Sequence, residues 1–275
     1  MTTHEPSSAS VGAMYDKISA SLSDVLGGSI HVGYWDDSRT DENLEAATDR
    51  LTTLVASRLR LSPGLQILDV GCGTGKPAIQ IGKSNDVDIT GVAISTGQIE
   101  SANARLASDM PARKISFQVA DAMDLPFADA SFDGAYAIES LCHMPDKTNA
   151  LTQIARVLRP GGRLVIADLF LDAQPSAPDS EFLARLCQFY EVSTFRTADE
   201  YRDLLHQVGL NLVEFTDVRH NVKPTYGILG AALRQMAAST SGEIDEKIVG
   251  GASMLEKMGN IPVLGYALIT AVLKE

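Results

Sequence analysis

Cysteine is scarce in this chain: three in 275 residues, Cys72, Cys142 and Cys187, widely spaced. That number and spacing build neither a disulfide framework nor a CxxC metal knuckle, and they suit a reducing cytoplasm. Lysine and arginine never cluster, and 23 basic residues stand against 35 acidic ones for a net charge of −12. Long-range electrostatics therefore repel nucleic acid and anionic membrane. No apolar run approaches the roughly 18 residues of a membrane span. The opening MTTHEPSSASVG also lacks the apolar stretch of a signal peptide. No internal repeat is present. These absences predict a cytoplasmic protein with no nucleic-acid or membrane partner.

What is present is an ordinary globular composition, 45% hydrophobic and 21% charged, at a length that suits one large domain or one domain with an insertion. Residues 1–12 read as a flexible polar arm, which is also a candidate contact for a homo-oligomer. Met14, Ile18, Leu22 and Val25 then fall at helical spacing. GGSIHVGYWDD follows as a loop with the only tryptophan, Trp35, and an amphipathic helix is predicted from Glu42 to Leu59. From there strands rich in Val, Ile and Leu (65–71, 87–94, 114–121, 132–140, 161–171) alternate with helical stretches. This is the pattern of an α/β protein with a parallel sheet covered on both faces. Beyond the linker AQPSAPDS lie helices at 181–190 and 198–208, the second opened by a Thr197–Glu200 capping box. Two more strands (210–218, 263–273) flank a mostly helical stretch, 220–262, with apolar Ile228, Leu229, Leu233 and Met236.

The run ILDVGCGTGKPA places Gly71, Gly73 and Gly75 between the first strand and its helix. Such a turn brings backbone close to a ligand at a helix N-terminus. A P-loop needs GxxxxGK followed by Ser or Thr, but here GK precedes Pro77 and Val70 stands where the first glycine belongs. A dinucleotide site wants GxGxxG and an acid ending the second strand; here the spacing is GxGxG and the strand ends GVAIS. S-adenosylmethionine, which has no pyrophosphate, suits the tighter turn.

LDVGCGTG closely resembles motif I of the class I S-adenosylmethionine-dependent methyltransferases. VADAMDLPFADASFD and RVLRPGGRLVIAD resemble later segments of that family in the right order, so the likeness covers about residues 64–172. The amino end, MYDKISASLSDVLGGSIHVGYWDD, is similar to actinomycete natural-product methyltransferases of the rebeccamycin sugar O-methyltransferase type. The resemblance implies a Rossmann-like seven-stranded sheet, mostly parallel with an antiparallel last strand, plus N-terminal helices and a helical lid. It divides the chain into an arm and cofactor-covering helices (1–60), a cofactor-binding core (61–218, with an acceptor segment near 178–208), a lid (219–262) and the last strand (263–275). It also implies S-adenosyl-L-methionine as cofactor, with S-adenosyl-L-homocysteine as product. Asp69, Gly71, Gly73 and Gly75 would hold it; Asp121 would take the adenine amino group beside Ala122 and Met123. Most class I enzymes carry an acid where this chain has Ala93, and GVAISTGQIE resembles a variant in which Gln98 contacts the ribose, near Ile94 and Ser95. Tyr15 and Glu139 would complete the cofactor site. His31, Tyr34, Trp35, Phe170, Phe189, Tyr201 and Tyr226 are candidates to line the acceptor.

Methyl transfer is an in-line displacement, and a hydroxyl acceptor must also lose a proton. His143, after the fourth strand, and Asp168, in the fifth, are the candidate bases at the carboxyl edge of the sheet. The rebeccamycin type has two adjacent histidines where this chain has Cys142 and His143. Glu139, Cys142 and His143 lack a second ligand pair, so no metal is expected. The expected function is methylation of a bulky hydrophobic small molecule of secondary metabolism at a hydroxyl oxygen. The alternatives are C-methylation of an isoprenoid or prenylated alkaloid alkene through a carbocation, and a non-catalytic cofactor-binding scaffold.

Overall fold

Helix α1 (Ser8–Val25) begins six residues before Met14, where the apolar spacing starts. Ser7 caps it through the Ser10 N–H, and the Ser10 hydroxyl accepts from the Ser7 N–H in return, a capping box written in the polar SSAS run. Residues 8–12 are therefore helix, docked on their own chain, rather than a free arm. The structure, a computed structural model, describes residues 5–36, 43–109, 114–239 and 246–275. The expected helix start at Glu42 and residues 240–245 of the expected lid lie outside those described, as do the side chains of Val25 and Met236.

Helix α2 (Leu44–Leu59), capped by Asn43, leads into the alternating region. It comprises β1 (Gln66–Val70), α3 (Lys76–Ser84), β2 (Asp88–Ala93), α4 (Thr96–Asp109), β3 (Ile115–Val119), β4 (Phe132–Ile138), α5 (Lys147–Val157) and β5 (Leu158–Leu171). Then come α6 (Ala177–Phe189), α7 (Ala198–Gln207), β6 (Leu210–Asp217), α8 (Arg219–Ser239), α9 (Glu246–Met258) and β7 (Leu264–Leu273). Helix α6 starts ahead of its predicted residue 181 because Ser176 caps it and Pro178 suits its first turn.

Among the described residues the strands form one seven-stranded sheet in the order β3-β2-β1-β4-β5-β7-β6. β1 pairs in parallel with β2 and β4, and β4 with β5. β7 runs antiparallel between β5 and β6. This is the Rossmann-like architecture with a reversed last strand. Period-two alternation along β5 sends Val165, Ala167 and Leu169 into one core layer, with α2 and α3 residues. Leu164, Ile166 and Phe170 go into the other, with residues of α5 and α7. Among the described residues no helix is long and apolar enough to cross a membrane.

Candidate active site

The carboxyl ends of β1, β2 and β4 open onto a cavity of about 930 Å³, its mouth included. Gly71 and Gly73 form its floor in the left-handed region, at φ 81° and 53°. A side chain on Gly71 would lie 2.3 Å from Cβ of Ser140, so the turn after β1 can pass the turn after β4 only without one. The N–H groups of Gly71 and Cys72 both donate to the Val92 carbonyl, tying this turn to β2.

Of the residues expected at the cofactor, Tyr15, Asp69, Gly71, Gly73, Ile94, Gln98, Asp121, Ala122, Met123 and Glu139 line this cavity. Gly75 and Ser95 stand behind its wall. Gly75, at φ 76°, packs on Phe117 and Ala102, and the Ser95 hydroxyl accepts from the Gln98 N–H. Asp121 accepts from the Met123 N–H at 2.9 Å and from the Ser8 hydroxyl at 2.5 Å. The Gln98 amide donates to Ser19, and Ser95 and the Gly97 N–H both donate to Asp16. Ser8 and Tyr15 of α1 thus line the cavity, while Asp16 and Ser19 tie the same helix to the start of α4. Sequence reading missed Ser8, Asp16 and Ser19, and the capping box beside them was the available signal.

The carboxylates on the wall are Asp69, Asp121 and Glu139, and neither lysine nor arginine is among the lining residues. Burial pushes the Asp69 carboxyl up to about 7, against the pull of the Tyr136 hydroxyl 2.7 Å away. Burial likewise raises Glu139 to about 7, although its Oε1 accepts from the Val32 N–H and the Tyr266 hydroxyl, both at 2.9 Å. A cavity walled by carboxylates suits a ligand with positive charge. A sulfonium cofactor with an ammonium group fits that donor set, and a pyrophosphate does not.

His143 sits in a one-turn 3-10 helix, Leu141–His143, directly after β4. Its Nδ1–H donates to the Glu191 carbonyl at 2.8 Å, which leaves the lone pair on Nε2. The Tyr15 hydroxyl is 2.7 Å from that nitrogen. Burial pushes the imidazole down to about 4, so it is neutral at pH 7. Burial also pushes the Tyr15 phenol well up, so it keeps its proton.

Asp168 is not on the cavity wall. It follows Leu164 and Ile166 on the α5–α7 side of β5, the opposite side from the Tyr136 and Asp69 pair. Both of its oxygens are engaged, Oδ2 by the Cys142 N–H and Oδ1 by its own Leu169 N–H, each at 2.8 Å. Burial raises its carboxyl to about 6. Asp168 anchors the turn that carries His143, and the expectation of a second base is corrected on that ground. Lys147, buried, holds the same turn through the Met144 carbonyl and Ser193. Sequence reading did not single it out.

The acceptor candidates divide. His31 lines the cavity, its Nδ1 on the Val32 carbonyl and its Nε2 3.2 Å from Thr52. Tyr34 packs against the first core layer, and Trp35 donates to Thr225 of α8 at 2.9 Å. Phe170 and Tyr201 are corrected: alternation and helix α7 put both in the opposite layer, Phe170 edge-on to Phe215. Phe189 is half-exposed against Tyr190. Tyr226 is buried near Glu139 and borders a second cavity.

Residues 68–166 match the family described as methyltransferase domain. The O-methyltransferase resE of Aspergillus sclerotiorum is 50% identical over 269 residues, covering 98% of each chain. The 27-O-demethylrifamycin SV methyltransferase of Amycolatopsis mediterranei is 37% identical, over 97% of this chain and 98% of its own. The crystal structure of the [4+2]-cyclase SpnF superposes with a TM-score of 0.85 at 30% identity, covering 98% of this chain and 97% of that one.

Proposed function

The chain belongs to the class I S-adenosylmethionine-dependent methyltransferases of natural-product type, and on that premise we propose that it methylates a hydroxyl oxygen of a bulky hydrophobic small molecule in secondary metabolism. The observation that carries the reading is His143, neutral, oriented through Nδ1, with its Nε2 lone pair presented to the cavity through the Tyr15 hydroxyl. The O-methyltransferase names of relatives that span nearly the whole chain support an oxygen acceptor.

Asp69, Gly71, Gly73, Gln98, Asp121 and Glu139 would hold S-adenosylmethionine, with the Ala122 and Met123 backbone beside its adenine. When bound, it supplies a methyl already activated by a sulfonium. Tyr15 has lone pairs left while its proton points to His143. An acceptor hydroxyl that donates to the Tyr15 oxygen can therefore pass its proton there as Tyr15 passes its own to Nε2. The acceptor oxygen would take the methyl as its bond to the cofactor sulfur breaks and the pair stays on sulfur, and the proton comes to rest on the imidazole. Asp168 and Lys147 hold the turn that fixes the imidazole in place. The pair is half-buried in the cavity wall, and a bound acceptor covering it would displace the water that otherwise competes as acceptor.

In the same reading α8 and α9 form the acceptor lid, supported by Trp35 and Gly33 bonding to Thr225 of α8. A cytoplasmic location belongs to it too, supported by three unpaired cysteines. The testing experiment incubates the enzyme and labelled cofactor with candidate hydroxylated metabolites and identifies the product by mass spectrometry. A methyl ether made by wild type and lost in His143→Ala supports the reading. Undiminished turnover in His143→Ala overturns the base assignment.

A further inference from the structure

Val32 and Gly33 are consecutive in the chain, and their N–H groups tie two distant parts of the molecule together. Val32 donates at 2.9 Å to Oε1 of Glu139, on the wall of the cofactor cavity. Gly33 donates at 3.0 Å to Oγ1 of Thr225, a buried residue of α8. A single step along the backbone therefore joins a cavity carboxylate to that helix.

The connection is tight at both ends. Glu139 sits in the left-handed region at φ 49°, an unfavourable conformation for a residue with a Cβ, and its Oε1 also holds the Tyr266 hydroxyl at 2.9 Å. The Thr225 hydroxyl is fully used: it accepts from Gly33 and from the Trp35 indole at 2.9 Å, and it donates to the Gly33 carbonyl at 3.3 Å. The Trp35 N–H donates to the Asn221 carbonyl of α8 at 2.8 Å, and the Asn221 side-chain amide returns a bond to the Trp35 carbonyl at 2.9 Å. Gly33 is pressed on α2, where a Cβ would lie 2.5 Å from that of Ala47. The segment has no slack in which a shift at Val32 could be lost.

Among the described residues lining the cavity there is no lysine or arginine, so a bound ligand brings the positive charge that Glu139 answers. Burial, with the Asp168 carboxylate nearby, disfavours the ionised form of Glu139, and the bonds from Val32 and Tyr266 favour it. A sulfonium in the cavity tips that balance toward the carboxylate, whose hydrogen bonds are roughly twice as strong as those of a neutral group. Methyl transfer removes the sulfonium charge and leaves the ammonium and carboxylate of the ligand unchanged. With that charge gone, burial favours the protonated acid again.

We propose that Glu139 distinguishes S-adenosylmethionine from S-adenosyl-L-homocysteine and, through Val32–Trp35 and Thr225, holds α8 more firmly when the charged cofactor is bound than when its product is. Resting on the cofactor reading above, this role adds how the chain registers that the methyl has left. Helix α8 is held while the methyl is present and eases once it is gone, which frees the methylated product.

Trp35 is the only tryptophan, so its indole N–H gives a single resonance in the 15N spectrum of the full-length protein. Saturating S-adenosylmethionine and S-adenosyl-L-homocysteine are compared without an acceptor. The Val32 amide and the Trp35 indole are expected to exchange with solvent about fivefold more slowly in the S-adenosylmethionine complex, and α8 amides, followed by mass spectrometry, in the same direction. Glu139→Gln keeps an acceptor oxygen but cannot ionise, so its two complexes should exchange alike while calorimetry shows that both ligands bind. Thr225→Val should keep the Val32 difference and lose the α8 difference. Equal exchange in wild type, or a difference that survives Glu139→Gln, overturns the sensing role, and an α8 difference that survives Thr225→Val overturns the route to the helix. Should Glu139→Gln bind neither ligand, the wild-type and Thr225→Val comparisons decide alone. Failure of both ligands to bind wild type overturns the cofactor reading, and the role of Glu139 with it.

Discussion

The hydroxyl of Tyr15 lies 2.7 Å from Nε2 of His143, with the two rings edge to face at 5.2 Å between centroids. One residue comes from the first helix and the other from the turn after β4, so the pair exists only when α1 is docked. Tyr15→Phe removes the relay and keeps the ring. It is expected to lower kcat about 10- to 100-fold, and His143→Ala about 100-fold or more, within the usual range for general-base catalysis. Cofactor affinity measured by titration calorimetry should stay within about twofold for His143→Ala, because the histidine serves the acceptor and not the cofactor.

The pH dependence should divide between chemistry and binding. His143 is held down at about 4, so it stays a free base through neutral pH, and its loss should limit kcat only as pH falls toward 4. Asp69 and Glu139 titrate at about 7 in the cofactor-free chain, and a positively charged ligand favours their ionised forms. Affinity for S-adenosylmethionine should therefore weaken as pH drops from 8 to 6, by up to about tenfold per pH unit for each proton that must leave. The uncharged-sulfur product, S-adenosyl-L-homocysteine, should show a shallower dependence, which calorimetry at several pH values would measure.

Much of this site was legible because backbone chemistry and local spacing wrote it. The positive-φ turn at Gly71 and Gly73 needs glycine, so it was found from neighbouring residues, whereas Asp121 came from the resemblance of VADAMDLPFADASFD to the methyltransferase family. Asp168 was misplaced for a reason of parity. One step along β5 separates the two faces, and the IAD segment alone does not say which face the aspartate takes. Residues 8–12 were lost because a capping box is polar and looks like a tail to a search for apolar periodicity. The Tyr15–His143 pairing spans 128 residues, and no local pattern announces it.

Gly71→Ala should damage fold and cofactor site together. The substitution places a Cβ 2.3 Å from that of Ser140 at a φ of 81°. Strain of this kind costs on the order of 1–3 kcal/mol. Denaturant titration should show that loss, with cofactor affinity weakened as well, whereas Gly64→Ala, at a positive φ but with open space around it, should lose stability with cofactor affinity unchanged.

Asp168→Asn tests anchoring against base catalysis. Asparagine offers one acceptor where the Asp168 carboxylate accepts two N–H bonds, so the variant should lose about 1–3 kcal/mol of stability. The folded carboxyl is raised to about 6 from an ordinary 3.8, so wild type is favoured while that group is protonated and loses the advantage as pH rises through about 6. The stability gap between wild type and variant should therefore narrow from pH 5 to pH 8. A deprotonation limb near pH 6 in kcat that vanishes in Asp168→Asn would instead mark Asp168 as the base.

The central claim is oxygen methylation served by His143. Its most direct test supplies S-adenosylmethionine carrying a 13C methyl and reads the product by carbon NMR, for wild type and His143→Ala side by side. The account predicts a methoxyl carbon from wild type and at least a hundredfold less of it from the variant. A carbon-bound methyl, formed equally well without His143, would contradict it.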